Sequence, residues 1–99
     1  MKKAIATIHP GEILLEDFMK PHGLSANRLA MELRVPATRI TAIINGERAI
    51  SVDTALRLSR YFGTSADVWL GLQTDYELRK ARIDIEPSIN REVHELAHT

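Results

Sequence analysis

Helix-ending residues divide this chain into short segments, and each segment has apolar residues at helical spacing. The breaks lie at residues 21–23 (PHG), 34–36 (RVP) and 45–46 (NG), and at Gly63. Proline lacks a backbone N–H and glycine readily adopts a left-handed conformation, so both residue types end helices. No segment alternates apolar and polar residues with the period of two that strands require. The sequence therefore predicts an all-α fold, and its 99 residues suffice for one domain.

Five helices are predicted from the residues that can begin a helix and from the apolar stripes that follow them. Pro10 and Pro36 suit a first helical turn, Ser25 and Ser51 are good N-caps, and residues 64–67 (TSAD) resemble a capping box. The apolar stripes consist of Ile13, Leu14, Phe18, Leu29, Ala30, Leu33, Ile40, Ile43, Ile44, Ala55, Leu58, Phe62, Val68, Trp69, Leu72 and Tyr76.

The folded unit is expected to span residues 1–83, followed by a tail over residues 84–99. Pro87 lies near the start of this tail. Ile89, Val93 and Leu96 have helical spacing, which gives the tail room for one more short helix.

Composition excludes several classes of protein. The chain has no cysteine, which removes disulfides, thiol catalysis and cysteine-rich zinc sites. No apolar run approaches the ~18 residues of a membrane span, and residues 1–10 contain too short an apolar stretch for a signal peptide. We therefore expect a cytoplasmic protein with no cofactor, no metal site and no membrane partner.

Charge is distributed unevenly along the chain, although the net charge is zero. Residues 20–60 carry seven basic and three acidic side chains, whereas residues 61–99 carry four basic and seven acidic ones. Residues 1–19 carry two basic and three acidic side chains. A basic middle between acidic flanks lets one face of a domain meet phosphates while another meets protein.

The second and third predicted helices are short and are separated by about three residues, which is the spacing of a helix-turn-helix. If Ile40, Ile43 and Ile44 define the buried side of the third helix, its outer face consists of small or hydrogen-bonding groups. That face holds Thr38, Ala42 and Asn45, flanked by Arg39 and Thr41. An ordinary solvent-exposed helix would carry Glu and Lys instead. The acid-free face favours entry into a DNA major groove, where Thr and Arg side chains contact bases or phosphates.

Four stretches resemble the HigA group of antitoxins (also called VapI-type or plasmid-maintenance antidote proteins), within the Cro/lambda-repressor (XRE) helix-turn-helix family. They are residues 9–12 (HPGE), 45–50 (NGERAI), 53–59 (DTALRLS) and 62–78, which contains FGTS, WLGLQ and YEL. The resemblance implies a five-helix lambda-repressor-like domain that represses transcription and has no catalytic residues. It places the DNA-contacting positions at Ala37, Thr38, Arg39, Thr41 and Ala42, with Asn45 and the following loop, which contains Arg48, near the DNA backbone.

Two positions depart from the common pattern of the wider family. Ala26 stands where many repressors have Gln, so a phosphate clamp from that side chain is missing. Arg34 stands where Gly is usual in the turn, and it could supply a phosphate contact instead. Both departures concern single contacts and leave the docking mode unchanged.

The resemblance also implies two protein partners: a second copy of the chain and a cognate HigB/RelE-like toxin that cleaves mRNA. A palindromic operator requires a symmetric dimer, for which the fifth helix supplies apolar candidates. They are Val68, Trp69, Leu72 and Tyr76. The acidic C-terminal third and the acids of the first helix (Glu12, Glu16 and Asp17) are candidate surfaces for the toxin. The runner-up function is a stand-alone XRE-family repressor without a toxin partner.

Residues 94–98 (HELAH) match the H-E-x-x-H signature of zinc metalloproteases. Two imidazoles one helical turn apart can bind zinc, and the glutamate can activate a water molecule. Only Thr99 follows this motif, so no downstream third ligand is present in the sequence. We interpret the motif as a chance match, and we retain a zinc hydrolase and a protein-binding adaptor only as competing hypotheses.

Overall fold

In the computed structural model, which describes residues 8–97, the chain is folded into a succession of helices. The first begins as α1 (Pro10–Ile13), continues as a π-helical segment (Leu14–Met19) and ends in a 3-10 turn (Lys20–His22). It is followed by α2 (Ala26–Leu33), α3 (Ala37–Ile44), α4 (Val52–Phe62), α5 (Ala66–Asp84) and α6 (Glu86–Glu92). No strand occurs between residues 8 and 97, and the predicted all-α class is confirmed.

Most helices begin where the sequence predicts. Ser25 accepts a hydrogen bond from the Arg28 N–H at 3.0 Å, and Ser51 accepts one from the Thr54 N–H at 3.3 Å. Pro36 is the N-cap of α3, one residue before the helix begins. These starts depend on residues within one turn of each other, which is why local sequence predicts them.

The start of α5 differs from the capping box that was predicted to begin at Thr64. The N-cap is Ser65, whose hydroxyl accepts from the Val68 N–H at 3.2 Å. Thr64 is engaged elsewhere, because its hydroxyl oxygen accepts a hydrogen bond from the Trp69 indole N–H at 2.8 Å. A buried indole needs such a partner, and this requirement displaces the cap by one residue.

The C-terminal part is helical over a different stretch from the one predicted for the tail. Pro87 lies in the first turn of α6, and Ile89 belongs to that helix. The helix ends at Glu92, so Val93 and Leu96 follow it in non-helical backbone. Within residues 8–97, no helix is both long enough and apolar enough to cross a membrane, and this includes α5, the longest.

The core is formed where the first five helices converge. Phe18 packs against both Trp69 and Phe62, with ring centroids 4.9 Å and 5.1 Å apart. The buried apolar residues are Leu14, Met19, Leu29, Ala30, Leu33, Ile40, Ile43, Ile50, Ala55, Leu58 and Trp69. They include at least one residue from each of α2, α3, α4 and α5, so the core holds the predicted helix-turn-helix in place.

The backbone of α1 lies directly against the C-terminal end of α3. A Cβ atom placed on Gly11 would lie 1.8 Å from the Ile43 carbonyl oxygen, far inside any permitted contact. The glycine of the HPGE stretch therefore allows two helical backbones to touch, and this contact supports the C-terminal end of α3.

Candidate nucleic-acid interface

The turn between α2 and α3 occupies residues 34–36 and closes through backbone hydrogen bonds. Arg34 ends α2 in the left-handed conformation, with φ at 61°. The Val35 N–H donates to the Ala30 carbonyl at 3.0 Å, which completes the end of the helix. Glycine is favoured in this conformation because it has no Cβ. Arg34 adopts it with its side chain exposed beside the turn.

The orientation of α3 agrees with the face predicted from its sequence. Ile40 and Ile43 are fully buried, whereas Thr38 and Thr41 are exposed. The Thr41 hydroxyl donates to the Ala37 carbonyl at 3.1 Å, so its proton is used within the helix while its oxygen remains able to accept.

Two alanines on α3 lie beside the exposed threonines and are less exposed than they are. Ala37 and Ala42 are half-buried, and Ala37 packs partly against the core. Their small side chains keep the surface of α3 shallow, which allows another molecule to approach its backbone. Ala37 therefore offers less side-chain surface than the exposed threonines.

Arg39 does not extend outward from α3. Its Nη1 donates to Asp53 Oδ2 at 2.6 Å, and Arg57 Nε donates to the same oxygen at 3.0 Å. The two arginines lower the pKa of the Asp53 carboxyl below its usual range, through the hydrogen bond from Arg57 and then that from Arg39. The arginine is thus paired within the protein, and its predicted contact with DNA stays a prediction.

The loop after α3 carries the remaining predicted contacts. Asn45 is the C-cap of α3, and Gly46 takes the left-handed conformation with φ at 76°, as predicted for this pair. Arg48 is exposed. Ile50 then returns to the core, and its N–H donates to Gln73 Oε1 on α5 at 2.9 Å.

Gln73 is a structural residue that the sequence analysis did not identify. It is buried, and its Nε2 donates to Glu77 Oε2 at 2.8 Å while its oxygen accepts from the loop. A buried backbone N–H requires a partner, and Gln73 supplies it. The only sequence signal for this role is the glutamine within the WLGLQ stretch.

His9 begins the first helix, as expected for a helix-start residue. Its Nδ1 accepts a hydrogen bond from the Gly11 N–H at 2.9 Å, and its ring meets Tyr76 edge-on with centroids 4.9 Å apart. Burial lowers the pKa of His9 below its usual value, and the negative charge of Glu77 opposes this shift. Only the neutral ring can accept the capping hydrogen bond at Nδ1.

Comparison with known proteins places this geometry in a family. Residues 15–69, more than half of the chain, match the family described as Helix-turn-helix. The chain is 52% identical to virulence-associated protein I of Dichelobacter nodosus, over 90% of this chain and 82% of the relative.

Two solved structures share the whole architecture. The antitoxin HigA of Pseudomonas aeruginosa, solved with the higBA promoter, matches with a TM-score of 0.88 and 41% identity, over 92% of this chain and 99% of that one. An addiction module antidote protein of the HigA family from Coxiella burnetii matches with a TM-score of 0.85 and 46% identity, over 91% and 98%. The chain belongs to the HigA group of helix-turn-helix proteins.

In this HigA-group chain, three of the four residues predicted for a dimer contact retain accessible surface. Val68 is exposed, and Leu72 and Tyr76 are half-buried. Trp69 is fully buried within its own chain, where its indole is held by Thr64 and its ring packs on Phe18. Trp69 is therefore a core residue with no surface left for a second subunit, and its predicted dimer contact is corrected.

The tail motif is not arranged as a zinc site in the part that the structure describes. Residues 93–97 are non-helical, so the helical backbone that the signature requires is not found at His94 and Glu95. His98 itself lies outside the described residues. Within residues 8–97, no three His, Asp or Glu side chains come together in a group that could hold a metal ion.

Proposed function

We propose that this HigA-group chain is an antitoxin of a type II toxin–antitoxin pair that binds operator DNA and represses its own operon. The observation that carries the proposal is the outer face of α3, which is exposed, free of acidic side chains and mounted on a helix-turn-helix. The similar HigA antitoxin of Pseudomonas aeruginosa was solved with promoter DNA, which supports the same use of this face.

The proposed contacts divide into two kinds. Thr38 and Thr41, with the shallow Ala37 and Ala42 beside them, meet base edges or thymine methyls in the major groove. Arg34 at the turn and Asn45 and Arg48 in the following loop meet the phosphate backbone. Phosphate contacts position the protein, whereas base contacts provide specificity.

Gel-shift titrations at several salt concentrations test this division, with operator DNA and a random duplex of equal length. Arg48→Ala is expected to weaken binding to both duplexes and to lower the salt slope by about one, because a phosphate contact is lost. Thr38→Ala should relax preference at one base pair, by about 1–3 kcal/mol at most. Equal losses on both duplexes for both variants would contradict the assignment of α3 to the groove.

The operator is proposed to be palindromic and to be bound by a homodimer. One recognition helix reads only a few base pairs, whereas two helices related by a two-fold axis read half-sites about 34 Å apart. Val68, Leu72 and Tyr76 are the proposed contributors to the dimer contact. Sedimentation that shows a monomer at tens of micromolar would contradict this part of the proposal.

The second proposed activity is neutralisation of a HigB/RelE-like mRNA endonuclease by direct binding. Two acidic surfaces are available for a basic toxin: the first helix (Glu12, Glu16 and Asp17) and the C-terminal part of the chain, in which acids outnumber bases. Because neither surface includes the outer face of α3, the toxin and the operator should be able to bind at the same time.

Co-expression with the adjacent gene tests neutralisation. Growth arrest by that gene alone, relieved by this chain, is the expected result, and rescue should survive His94→Ala and Glu95→Ala. Rescue abolished by either substitution, in a protein that still folds and binds DNA, would revive the zinc interpretation of the tail. If the adjacent gene causes no arrest while operator binding persists, the chain is a stand-alone repressor.

A further inference from the structure

One carboxylate and two arginines connect α2, α3 and α4. Asp53 lies in the first turn of α4, and its Oδ2 accepts from Arg39 Nη1 on α3 at 2.6 Å and from Arg57 Nε at 3.0 Å. Arg57 Nη1 donates in turn to the carbonyl of Leu33, the last residue of α2, at 2.9 Å. The chain of contacts therefore runs from the end of α2, through α4, to α3.

We propose that Asp53 is a positioning residue for DNA recognition, which holds Arg39 and thereby sets the orientation of α3 against α4. Arg39 then acts inside the protein, and the DNA contacts come from its neighbours on the outer face. This inference rests on the proposed DNA-binding function, and it replaces the sequence-based prediction that Arg39 reaches a base or a phosphate.

The surroundings of Arg39 support this role. Its side chain is only 23% exposed, and its Nε is shielded from solvent without a hydrogen-bond partner among the described residues. The guanidinium is held instead by the hydrogen bond from its Nη1 to Asp53. An arginine side chain that contacted bases or phosphates directly would instead keep its N–H donors in water until DNA bound.

Electrostatics favours keeping the pair intact when DNA is bound. The Asp53 side chain is 53% exposed, so a departing Arg39 would leave a carboxylate only partly neutralised beside α3. A negative group at that position would repel the phosphates of an approaching duplex. With both arginines in place the carboxylate is neutralised, and the surface around α3 remains favourable to DNA.

The contact between Arg57 and α2 explains why Asp53 and its two arginines should affect DNA recognition. The last carbonyls of a helix have no partner within the helix, and a cation is favoured at that end by the helix dipole. Arg57 satisfies one such carbonyl at Leu33 while it shares Asp53 with Arg39. The two helices of the helix-turn-helix are thus held by a common group on α4.

The test compares the full-length protein with three variants on operator DNA and on a random duplex. Asp53→Asn should reduce the ratio of operator to random affinity about tenfold, which is the size of one lost base contact. Arg39→Ala should reduce the ratio by a similar factor and leave the salt slope unchanged, because no phosphate contact is lost. The double variant should lose no more than either single variant, since both substitutions break the same unit.

Two control variants distinguish a positioning role of Asp53 from a general effect of charge on DNA binding. Asp84→Asn removes the same charge from an exposed ion pair with Lys80 at the end of α5, and it should leave the ratio unchanged. Arg48→Ala marks the behaviour of a phosphate contact. If Arg39→Ala behaves like Arg48→Ala, with a salt slope lower by about one and equal losses on both duplexes, the proposal is wrong. It is also wrong if Asp53→Asn strengthens operator binding.

Amide hydrogen exchange of the free protein tests the orientation of α3 without DNA. Asp53→Asn should accelerate amide exchange in α3 about two- to fivefold relative to α5, as expected from loss of the ion pair that joins α3 to α4. Unchanged protection in α3 would overturn the positioning role even if the wild-type protein bound its operator. A wild-type protein without operator affinity, but with the expected exchange, would refute the proposed function alone.

Discussion

Helix α3 and the C-terminal helices differ in the side chains that they expose. On α3 the exposed residues are threonines, whereas α5 and α6 expose large apolar residues along much of their length. The latter are Val68, Leu78, Ile83 and Ile89. Small polar groups lose little by remaining in water, but an apolar stripe gains free energy when another protein covers it. The contrast suits one region to DNA and the other to a protein partner.

The two regions also differ in how firmly they are supported. α3 is contacted from beneath by Gly11, and the loop that follows it is fixed by Gln73. Both buried residues of α5, Trp69 and Gln73, lie in its first half, and its second half extends beyond the core. A surface that recognises DNA needs a fixed orientation, and these contacts fix the orientation of α3, the helix proposed to contact DNA.

The largest expected effect concerns the support beneath α3. Gly11→Ala should reduce the free energy of unfolding by about 3 kcal/mol, because the new methyl group collides with backbone that cannot rotate away. Gly71→Ala on α5 is the matched control, since a Cβ there meets nothing within 4 Å. It should stabilise the protein by up to about 1 kcal/mol. Urea denaturation measures both, and equal effects would contradict the contrast in support.

The next effect concerns the link between the two regions. Gln73→Ala should cost about 2 kcal/mol in unfolding free energy, because the Ile50 N–H is left buried without its acceptor. Operator affinity should fall as well, since the loop after α3 loses its anchor. Thr74→Ala, at the exposed neighbouring position, should change stability by less than about 0.5 kcal/mol. A stable Gln73→Ala protein would show that the loop needs no attachment to α5.

A smaller effect tests the use of the apolar surface on α5. Val68→Ser should raise the dissociation constant of the dimer about tenfold, through the loss of apolar burial. Leu56→Ser on α4 is a matched control, because the two side chains are 52% and 56% exposed. Analytical ultracentrifugation should show weaker association for the α5 variant only. Equal weakening would place α4 in the dimer contact too.

The smallest effect is a dependence of stability on pH through His9. Because the pKa of His9 is lowered in the folded protein, the unfolded chain binds the proton more readily, and stability falls as the pH drops below the unfolded value of about 6.5. His9→Asn retains a good N-cap without titrating in this range. Thermal unfolding at pH 8 and pH 5 should therefore show a smaller difference for the variant than for the wild-type protein.

Features that depend on neighbouring residues were predictable. The all-α class, the starts at Ser25 and Ser51 and the buried stripe of α3 follow from contacts within one or two helical turns. The resemblance to HigA proteins added the family and the expectation of its partners. It also marked HPGE and WLGLQ as distinctive without indicating what their residues do.

The tertiary structure decided the features that join distant parts of the chain. Arg39 meets Asp53 across 14 positions, and Ile50 meets Gln73 across 23. Trp69 packs against Phe18 from the first helix and is fully buried, which removes it from the proposed dimer contact. Helical periodicity determines which side of each helix is apolar, but the crossing of the helices determines which polar groups meet. For this reason the sequence alone predicted the exposed face of α3, and only the folded chain showed which distant residues contact that helix.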